Sequence, residues 1–242
     1  MNERLASDTR ASQTTAGVAG WLKAGMLDWE GHLTTTVFVS GCNLRCPYCH
    51  NPDLLVPGKG VDTAPLIAHL HEKRDWLDGV VITGGEPTLD PGLFALLDEI
   101  AALCLPVKLD TNGTRPHALQ QLLESGLVAA VSMDIKTTPE RYSEVSAGDD
   151  VWPAVEESMH VLRGSGVPHE LRTTAYPGLV APDDLPAIAC TIAGGDHYTI
   201  QQFRPRRTYD RCAGQTHPYD ADVLHDIAQK CSAFIDTTVR GA

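Results

Sequence analysis

The amino-acid sequence predicts an α/β fold, specifically a partial (β/α)6-type TIM barrel of parallel strands. One observation is that short apolar, β-rich runs alternate with longer helical patterns from residue 33 onward, which is the order expected of βαβ units. A second is the number of repeats, because six or seven such units suit a whole or partial barrel. An open, doubly wound sheet is the alternative arrangement of the same units.

Each predicted strand is a short run rich in β-branched residues, and most predicted helices follow one of these runs. Strands are predicted at TTTVFVS (34–40), GVVITGG (79–85), PVKLDTN (106–112), AAVSMDI (129–135), HELRTTA (169–175) and HYTIQQF (197–203), with a last one at AFIDTTV (233–239). Helices are predicted near 62–76, 91–104, 115–125, 152–165, 183–193 and 219–231. Several begin with proline or a small polar residue, as helix starts often do.

The ends of the first four predicted strands carry the polar residues that stand out in this sequence. The stretch SGC follows the first strand, GGEP the second, DTNG the third and DIK the fourth. Ligands of parallel α/β folds bind at the carboxyl ends of the strands. These stretches are therefore expected to converge on one mouth of the barrel.

Composition and charge argue against several classes of function. The chain has 242 residues and a formal net charge of −12, which argues against broad nucleic-acid binding because that needs a basic face. The sequence has no apolar run long enough to span a membrane, and its start lacks the apolar centre of a secretory signal. It therefore predicts a cytoplasmic protein with one domain over residues 17–242, preceded by a flexible polar leader over residues 1–16.

Three cysteines within eight positions, Cys42, Cys46 and Cys49, are the strongest chemical signal in the chain. A [4Fe–4S] cluster usually has four thiolate ligands, so three thiolates would leave one iron free to bind a substrate. Gly41 allows a tight turn before the first cysteine. The alternative is a zinc site formed by the three cysteines and His50, although no second close cysteine pair is evident.

The spacing Cys-x3-Cys-x2-Cys, with Tyr48 before the last cysteine, resembles the signature of the radical S-adenosylmethionine (radical SAM) superfamily. GGEP after the second strand is similar to that superfamily's motif for the methionine end of the cofactor. YCHNPDL, LDTNG, MDIK and LRTTAYPGL narrow the resemblance to glycyl-radical enzyme activases. DGVVITGGEPTL and IQQFRP look most like activating proteins of anaerobic ribonucleoside-triphosphate reductase, and the likeness runs in order over residues 17–210.

This resemblance implies a radical SAM fold and an oxidoreductase that cleaves S-adenosylmethionine (SAM) reductively at a [4Fe–4S] cluster. Cys42, Cys46 and Cys49 would hold the cluster, and its open iron would bind the amino and carboxylate groups of SAM. One electron would yield methionine and a 5′-deoxyadenosyl radical, which abstracts hydrogen from a backbone glycine of a partner. The implied partners are a glycyl-radical enzyme, in the first place anaerobic ribonucleotide reductase, and an electron donor such as flavodoxin or ferredoxin.

The resemblance also assigns roles to residues around the cofactor. Gly84 and Gly85 would let the backbone approach the methionine moiety, and Glu86 would accept a hydrogen bond from its ammonium group. Asp110 and Asn112 would hydrogen-bond the ammonium group or the ribose. Taken alone, GGEP and TNG are also ordinary turn sequences.

Four further residues complete the implied cofactor site. Lys136 would pair with the methionine carboxylate, and Asp134, on the same strand face, would orient Lys136 or hold a cation. Arg172 would reach the ribose or the peptide substrate, with a structural ion pair as the alternative. Tyr48 would stack on the adenine or simply pack in the interior.

Two segments outside these motifs also carry predictions. DWEGH (28–32) is interpreted as structural cover for the cluster. QQFRPRRTYDR (201–211) contains four arginines in an acidic protein. This segment is either a docking patch, for an acidic electron donor or for the glycyl-radical enzyme, or a solvated loop.

Three other functions are compatible with the sequence. The partner can be a different glycyl-radical enzyme, such as one like formate lyase. The substrate can be a small molecule, as in the 7-carboxy-7-deazaguanine synthases, although YCHNPDL and MDIK favour an activase. A zinc-binding interaction module without catalysis is the alternative from a different class.

Overall fold

The computed structural model describes residues 16–242, which form one eight-stranded sheet whose strands lie side by side in sequence order. The strands are β1 (Val18–Gly25), β2 (Thr34–Val39), β3 (Gly79–Gly84), β4 (Val107–Thr111), β5 (Ala130–Asp134), β6 (His169–Ala175), β7 (His197–Gln202) and β8 (Thr237–Arg240). Neighbouring strands from β2 to β8 are parallel, whereas β1 runs antiparallel to β2. The parallel part of the sheet is the one that places strand ends at a common edge.

One α-helix follows each strand from β2 to β7, which gives six β/α units. The helices are α1 (Ala64–Lys73), α2 (Leu93–Ala101), α3 (Pro116–Glu124), α4 (Trp152–Ser165), α5 (Asp184–Thr191) and α6 (Ala221–Cys231). The predicted α/β class, a partial (β/α)6-type barrel, is therefore confirmed. As predicted, several helices start at proline: α1, α3 and α4 have it in their first two positions, where a missing N–H breaks no helical hydrogen bond.

The sheet differs from the prediction at its two edges. β1 is absent from the predicted strands, because VAGWLKAG contains two glycines and its side chains are mostly exposed or half-buried at the edge. β8 starts at Thr237, later than the predicted 233–239, because the N–H groups of Phe234 and Ile235 still donate to Cys231 O at the end of α6. The predicted leader lies outside the described residues, apart from Ala16, which is buried.

Alternate positions of the strands divide the sheet into an apolar outer face and a charged inner face. The helices cover the outer face with buried aliphatic residues such as Leu66 of α1 and Leu97 of α2. The inner face carries ion-paired residues on neighbouring strands, including Lys108 on β4, Asp134 on β5 and Arg172 on β6. Within residues 16–242, no helix is long and apolar enough to cross a membrane. Charged groups are thus collected inside the barrel, beneath the carboxyl ends of its strands.

Candidate cofactor site

A cavity of about 340 Å³ opens at the carboxyl ends of the parallel strands. The wall of this cavity brings together eleven of the twelve residues singled out from the sequence: Cys42, Cys46, Tyr48, Cys49, Gly84, Gly85, Glu86, Asp110, Asn112, Asp134 and Lys136. Arg172 is the member of that set that does not line the cavity. The ends of β3, β4 and β5 and the cysteine loop after β2 therefore meet at a single mouth, as the positions of the polar stretches led us to expect.

The loop that carries the three cysteines is closed by backbone hydrogen bonds. Gly41 N donates to Leu54 O at 2.8 Å and Cys42 N donates to Leu55 O at 3.2 Å, so the two ends of the loop are joined. Glu86 N, just after β3, donates to Gly41 O at 2.7 Å and fixes the loop to the sheet. Gly41 has a φ of +96°, which residues with a Cβ rarely adopt, so the predicted tight turn is present.

The three thiols are free, with Cys46 buried and Cys42 and Cys49 half-buried. Burial raises the pKa of Cys46 to about 11. Burial also raises the pKa of Cys42, although the N–H of Leu44, 3.4 Å from its Sγ, partly offsets the effect. Because iron binds the thiolate form, a metal bound here would lower these pKa values and so stabilise the ionised thiols.

The donor set fits a [4Fe–4S] cluster better than a single zinc ion. In a cluster each thiolate binds a different iron, so the sulfurs stand farther apart than the ligands of one ion. Across residues 16–242, no three Cys, His, Asp or Glu side chains are grouped closely enough to hold one metal ion. His50, the fourth ligand of the zinc alternative, has its Nε2 atom 3.1 Å from the carbonyl oxygen of Arg204. A cluster held by these cysteines would have the adjoining cavity beside it, where a ligand could bind.

Gly84 and Gly85 are needed for the packing of the protein itself. A Cβ atom on Gly84 would collide with the backbone of Val39 at the end of β2. A Cβ atom on Gly85 would collide with the carbonyl group of Gly41 and lie 2.8 Å from Leu54 O. Gly84 therefore makes room for the end of β2, and Gly85 makes room for the cysteine loop. Their approach to the methionine moiety, inferred from the sequence, stays a prediction.

The carboxylate of Glu86 is buried and joins the ends of β3 and β4. Its Oε1 atom accepts hydrogen bonds from Thr88 N (3.1 Å), Thr88 Oγ1 (2.5 Å) and Thr111 Oγ1 (2.7 Å), and its Oε2 atom accepts one from Asn112 N (2.6 Å). Burial raises the pKa of Glu86, and these hydrogen bonds partly offset it. A carboxylate offers about four acceptor sites, so Oε2 is the atom with capacity left for the ammonium group of a ligand.

Asn112 positions the first cysteine. Its Nδ2 atom donates to Asn43 Oδ1 at 3.0 Å and lies 3.9 Å from Cys42 Sγ. Its Oδ1 atom accepts from Thr114 N at 3.0 Å and from Thr114 Oγ1 at 2.6 Å. Both ends of the amide therefore have partners within the protein, and the contact of Asn112 with the ammonium group or the ribose of a ligand stays a prediction. Asn43 and Thr114 were not singled out from the sequence, and turn sequences alone do not identify them.

An ion network extends from the wall of the cavity into the interior of the barrel beneath it. Its members are Lys108, Asp110, Asp134, Lys136, Glu170, Arg172 and Arg240. Arg172 Nε lies 2.8 Å from Asp134 Oδ1, and Arg172 Nη1 lies 3.3 Å from Asp110 Oδ2. Lys136 Nζ lies 2.9 Å from Asp134 Oδ2. Arg172 thus lies behind the cavity wall and forms structural ion pairs, which is the alternative noted from the sequence. Asp134 also pairs with Lys136 and so orients its ammonium group.

In this network the combined effect of the ion pairs on the pKa values of Asp134 and Lys136 exceeds the effect of burial. Burial by itself raises the pKa of Asp134, but Arg172 and Lys136 hold it well below its usual range. Burial by itself lowers the pKa of Lys136, but the Asp134 carboxylate raises it above its ordinary value. Both groups are therefore charged at neutral pH, and Lys136 places an ammonium group on the wall of the cavity.

The residues in the deeper part of this ion network were not predicted from the sequence. Lys108 Nζ donates to Asp110 Oδ1 at 3.0 Å and to Asp28 O at 2.6 Å, and Arg240 Nη2 lies 3.1 Å from Glu170 Oε2. One available signal was a lysine in PVKLDTN and a glutamate in HELRTTA, at positions inside predicted strands. Charged residues are rarely buried unless they are paired, so each of these two implies an opposite charge nearby.

Tyr48 is buried, and its ring packs on Tyr176 with ring centroids 5.4 Å apart. Its hydroxyl is buried and has no hydrogen-bond partner among the described residues, although Tyr48 lines the cavity. Buried hydroxyl groups in proteins are nearly always hydrogen-bonded. Tyr48 Oη is therefore a group that a polar ligand in the cavity would satisfy.

The two segments outside the motifs have different surroundings. In residues 28–32, Trp29 lies against Gly79, the first residue of β3, whereas Asp28 is part of the cavity wall. The interpretation of DWEGH as structural cover for the cluster stays a prediction. Residues 204–211 lie on the cysteine loop, where Tyr209 N donates to Cys49 O at 3.1 Å.

Comparison with known proteins agrees with this geometry. The family model of the radical SAM superfamily matches residues 36–184, more than half of the chain. A protein of Methanocaldococcus jannaschii, provisionally named a glycyl-radical enzyme activating enzyme, is 30% identical over 232 residues, which cover 92% of this chain and 94% of that protein. A pyruvate formate-lyase-activating enzyme of Clostridium pasteurianum is 34% identical over 46% of this chain and 49% of its own length. A 7-carboxy-7-deazaguanine synthase of Halobacterium salinarum is 30% identical over 69% of this chain and 66% of its own.

Among solved structures, Streptococcus suis SuiB bound to precursor peptide SuiA has a TM-score of 0.68 at 14% sequence identity, over 86% of this chain and 48% of that chain. At this identity the likeness shows the fold alone, and this chain spans about half the length of SuiB. The residues matched by the family model include the cysteine loop, GGEP, DTNG and DIK. The chain therefore belongs to the radical SAM superfamily, whose enzymes use a [4Fe–4S] cluster and S-adenosylmethionine.

Proposed function

We propose that this protein is an oxidoreductase that activates a glycyl-radical enzyme in the cytoplasm. The observation that carries the proposal is the 30% identity to the Methanocaldococcus jannaschii protein along 92% of this chain, with the three cysteines gathered on one cavity. The finer identification of the partner as anaerobic ribonucleotide reductase rests on the resemblance of DGVVITGGEPTL and IQQFRP to the activating proteins of that enzyme.

When bound, the cluster and SAM supply a one-electron cleavage that yields a radical able to take a hydrogen atom from a glycine. The chain's own residues would hold both groups. Cys42, Cys46 and Cys49 would bind three of the four irons. Lys136 lies on the wall as a charged ammonium group suited to the methionine carboxylate, and Glu86 Oε2 is the acceptor available to the methionine ammonium group.

Hydrogen bonds from other residues hold these groups in position. The Glu86 carboxylate ties β3 to β4, so the acceptor and the Asn112 backbone stay together. Asn112 and Leu44 place N–H groups near Cys42 Sγ, which is where hydrogen bonds influence the potential of a cluster. The electron itself would come from a reduced protein such as flavodoxin or ferredoxin.

The test is anaerobic reconstitution with iron and sulfide, followed by reduction and addition of SAM and anaerobic ribonucleotide reductase. We expect a [4Fe–4S]⁺ electron paramagnetic resonance signal that changes with SAM, formation of 5′-deoxyadenosine and a glycyl radical on the reductase. The triple variant Cys42→Ala/Cys46→Ala/Cys49→Ala should lose all three. A triple variant of the exposed cysteines, Cys104→Ala/Cys190→Ala/Cys212→Ala, is the matched control and should retain them.

The outcomes separate the alternatives. Zinc uptake with no cluster signal and no 5′-deoxyadenosine would overturn the catalytic proposal. SAM cleavage with a glycyl radical on formate lyase but none on the reductase would keep the activase and change its partner. The likeness to the Halobacterium salinarum enzyme supports a small-molecule reaction as the second candidate. That candidate requires turnover of the substrate of 7-carboxy-7-deazaguanine synthase and no glycyl radical on either enzyme.

A further inference from the structure

An arginine patch, defined here as Arg204, Arg206, Arg207, Tyr209 and Arg211, adjoins the cysteine loop from outside the cavity. Tyr209 N donates to Cys49 O at 3.1 Å, and the neighbouring Asp210 N donates to Pro47 O at 2.9 Å. The backbone of the patch thus touches the backbone of a cluster-binding residue. None of its five residues lines the cavity. A protein seated on the patch would therefore approach the cluster without entering the space for SAM and substrate.

The side chains of the patch are available to a partner. Arg206 and Arg211 are exposed, and within residues 16–242 neither guanidinium group has a hydrogen-bond or ion-pair partner. Arg207 pairs with Asp53 on the surface. Tyr209 is 50% exposed. Arginine and tyrosine are the residue types that protein interfaces favour and that often dominate binding energy.

The patch differs in charge from the rest of the chain, and this difference would orient an acidic partner. The formal net charge is −12, whereas residues 204–211 contain four arginines and one aspartate. An acidic partner is repelled by most of the surface and attracted where the arginines lie, at separations within a Debye length of about 8–10 Å. Opposite-charge patches of this kind raise association rates more than they raise affinity. The encounter is therefore guided to the side of the protein where Cys49 lies.

We propose that the arginine patch is the docking surface for an acidic one-electron donor protein. The proposal rests on the function proposed above, since it requires an iron–sulfur cluster at the cysteine loop. One electron passes from the donor to the oxidised cluster. With a flavodoxin as donor, the flavin hydroquinone becomes the semiquinone and the cluster goes from the 2+ to the 1+ state, and no further reactant is needed. The glycyl-radical enzyme, by contrast, must deliver its glycine into the cavity, which the patch does not line.

The experiment uses the reconstituted full-length protein and a reduced acidic flavodoxin as the probe. The variant Arg206→Gln/Arg211→Gln removes the two unpaired guanidinium groups. The matched control, Lys73→Gln/Arg74→Gln, removes two exposed positive charges at the carboxyl end of α1, which faces the amino-terminal side of the barrel. Stopped-flow absorbance gives the rate of cluster reduction, and calorimetry with oxidised flavodoxin gives affinity. Reduction by dithionite, a small reductant, reports whether the cluster itself is intact.

We expect the rate of reduction by flavodoxin to fall at least about tenfold in Arg206→Gln/Arg211→Gln, within the range that electrostatic steering supplies. The control and the dithionite rates should stay at the wild-type value. Raising the salt concentration should slow the wild type and leave the variant unchanged or faster, since repulsion then dominates the variant.

Two results would overturn the proposal. One is equal rates with flavodoxin for the two double variants, with the same dependence on salt. The other is an unchanged rate with flavodoxin combined with lost affinity for the glycyl-radical enzyme, which would assign the patch to that partner. Failure of the proposed function is seen separately, as absence of 5′-deoxyadenosine or of a glycyl radical when dithionite is the reductant.

Discussion

Replacement of Arg172 by methionine tests whether the interior ion network holds the wall of the cofactor cavity. The guanidinium group lies 2.8 Å from Asp134 Oδ1 and 3.3 Å from Asp110 Oδ2, and the side chain is 9% exposed. Methionine replaces the aliphatic part of the arginine side chain, so the change removes the guanidinium group with its charge and its hydrogen bonds. Two carboxylates are then left buried beside the cavity with less compensation.

The expected cost follows from this burial. Breaking a buried ion pair by removing one partner destabilises a protein by about 3–5 kcal/mol, because the remaining charge is uncompensated. For a chain of this size each kcal/mol shifts the melting temperature by about 2–4 °C, which gives a total decrease of roughly 6–20 °C. Lys136 should also lose its fixed position, because Asp134 no longer has Arg172 on its other oxygen.

The assay is thermal and urea denaturation of the cofactor-free protein at pH 7, together with SAM binding to the reconstituted protein by calorimetry. Arg74→Met is the control, because Arg74 is exposed and its loss should change stability by about 0.5 kcal/mol or less. A double-mutant cycle with Asp134→Asn should give a coupling energy of about 1–3 kcal/mol. A melting temperature of Arg172→Met equal to that of Arg74→Met, with no coupling, would refute the reasoning.

Three further changes test other parts of the site. Gly85→Ala should displace the cysteine loop, because its Cβ collides with Gly41, and should lower the iron bound per chain after reconstitution, whereas Gly164→Ala has open space around it and should not; equal iron contents would contradict this. Tyr48→Phe should leave the stability of the cofactor-free protein unchanged or raise it by about 1 kcal/mol, since the hydroxyl has no protein partner, but should weaken SAM binding in calorimetry. An undiminished affinity for SAM would remove Tyr48 Oη from the site. Burial by itself raises the pKa of Glu170, but Arg172 and its other partners lower the pKa to about 2, below its value of about 4.3 in an unfolded chain, so its contribution to stability is present at neutral pH and is lost as the pH falls from about 4 to 2. Glu170→Gln should flatten that part of the stability curve measured by urea denaturation, and a curve of unchanged slope would argue against the assignment.

The strand and helix order could be predicted from the sequence because the signals were local. Runs such as TTTVFVS and GVVITGG are apolar and β-branched throughout, as parallel strands with both faces covered require. β1 lacked such a signal, since its glycines and the exposed Lys23 are typical of a loop. The strand exists because its backbone pairs with the next strand, β2, and this pairing is not visible in the residue pattern of β1 itself.

The membership of the site could be predicted, but several roles could not. The position of a residue at a strand end placed Glu86, Asp134 and Lys136 at the cavity. What each atom contacts depends on neighbours that are distant in sequence, so the structure was needed to show Arg172 between two carboxylates. The same holds for Gly85, whose missing side chain accommodates the loop backbone in addition to any ligand.

The closure of the cysteine loop bears on how the site would behave if a bound cluster were lost. Such a loss would remove the bonds between iron and the thiolates, but it would leave the hydrogen bonds that Gly41, Cys42 and Glu86 donate within the protein. A small zinc domain, by contrast, unfolds when its metal leaves. We therefore expect this chain to keep the rim of the site without the cluster and to take up iron and sulfide again without refolding.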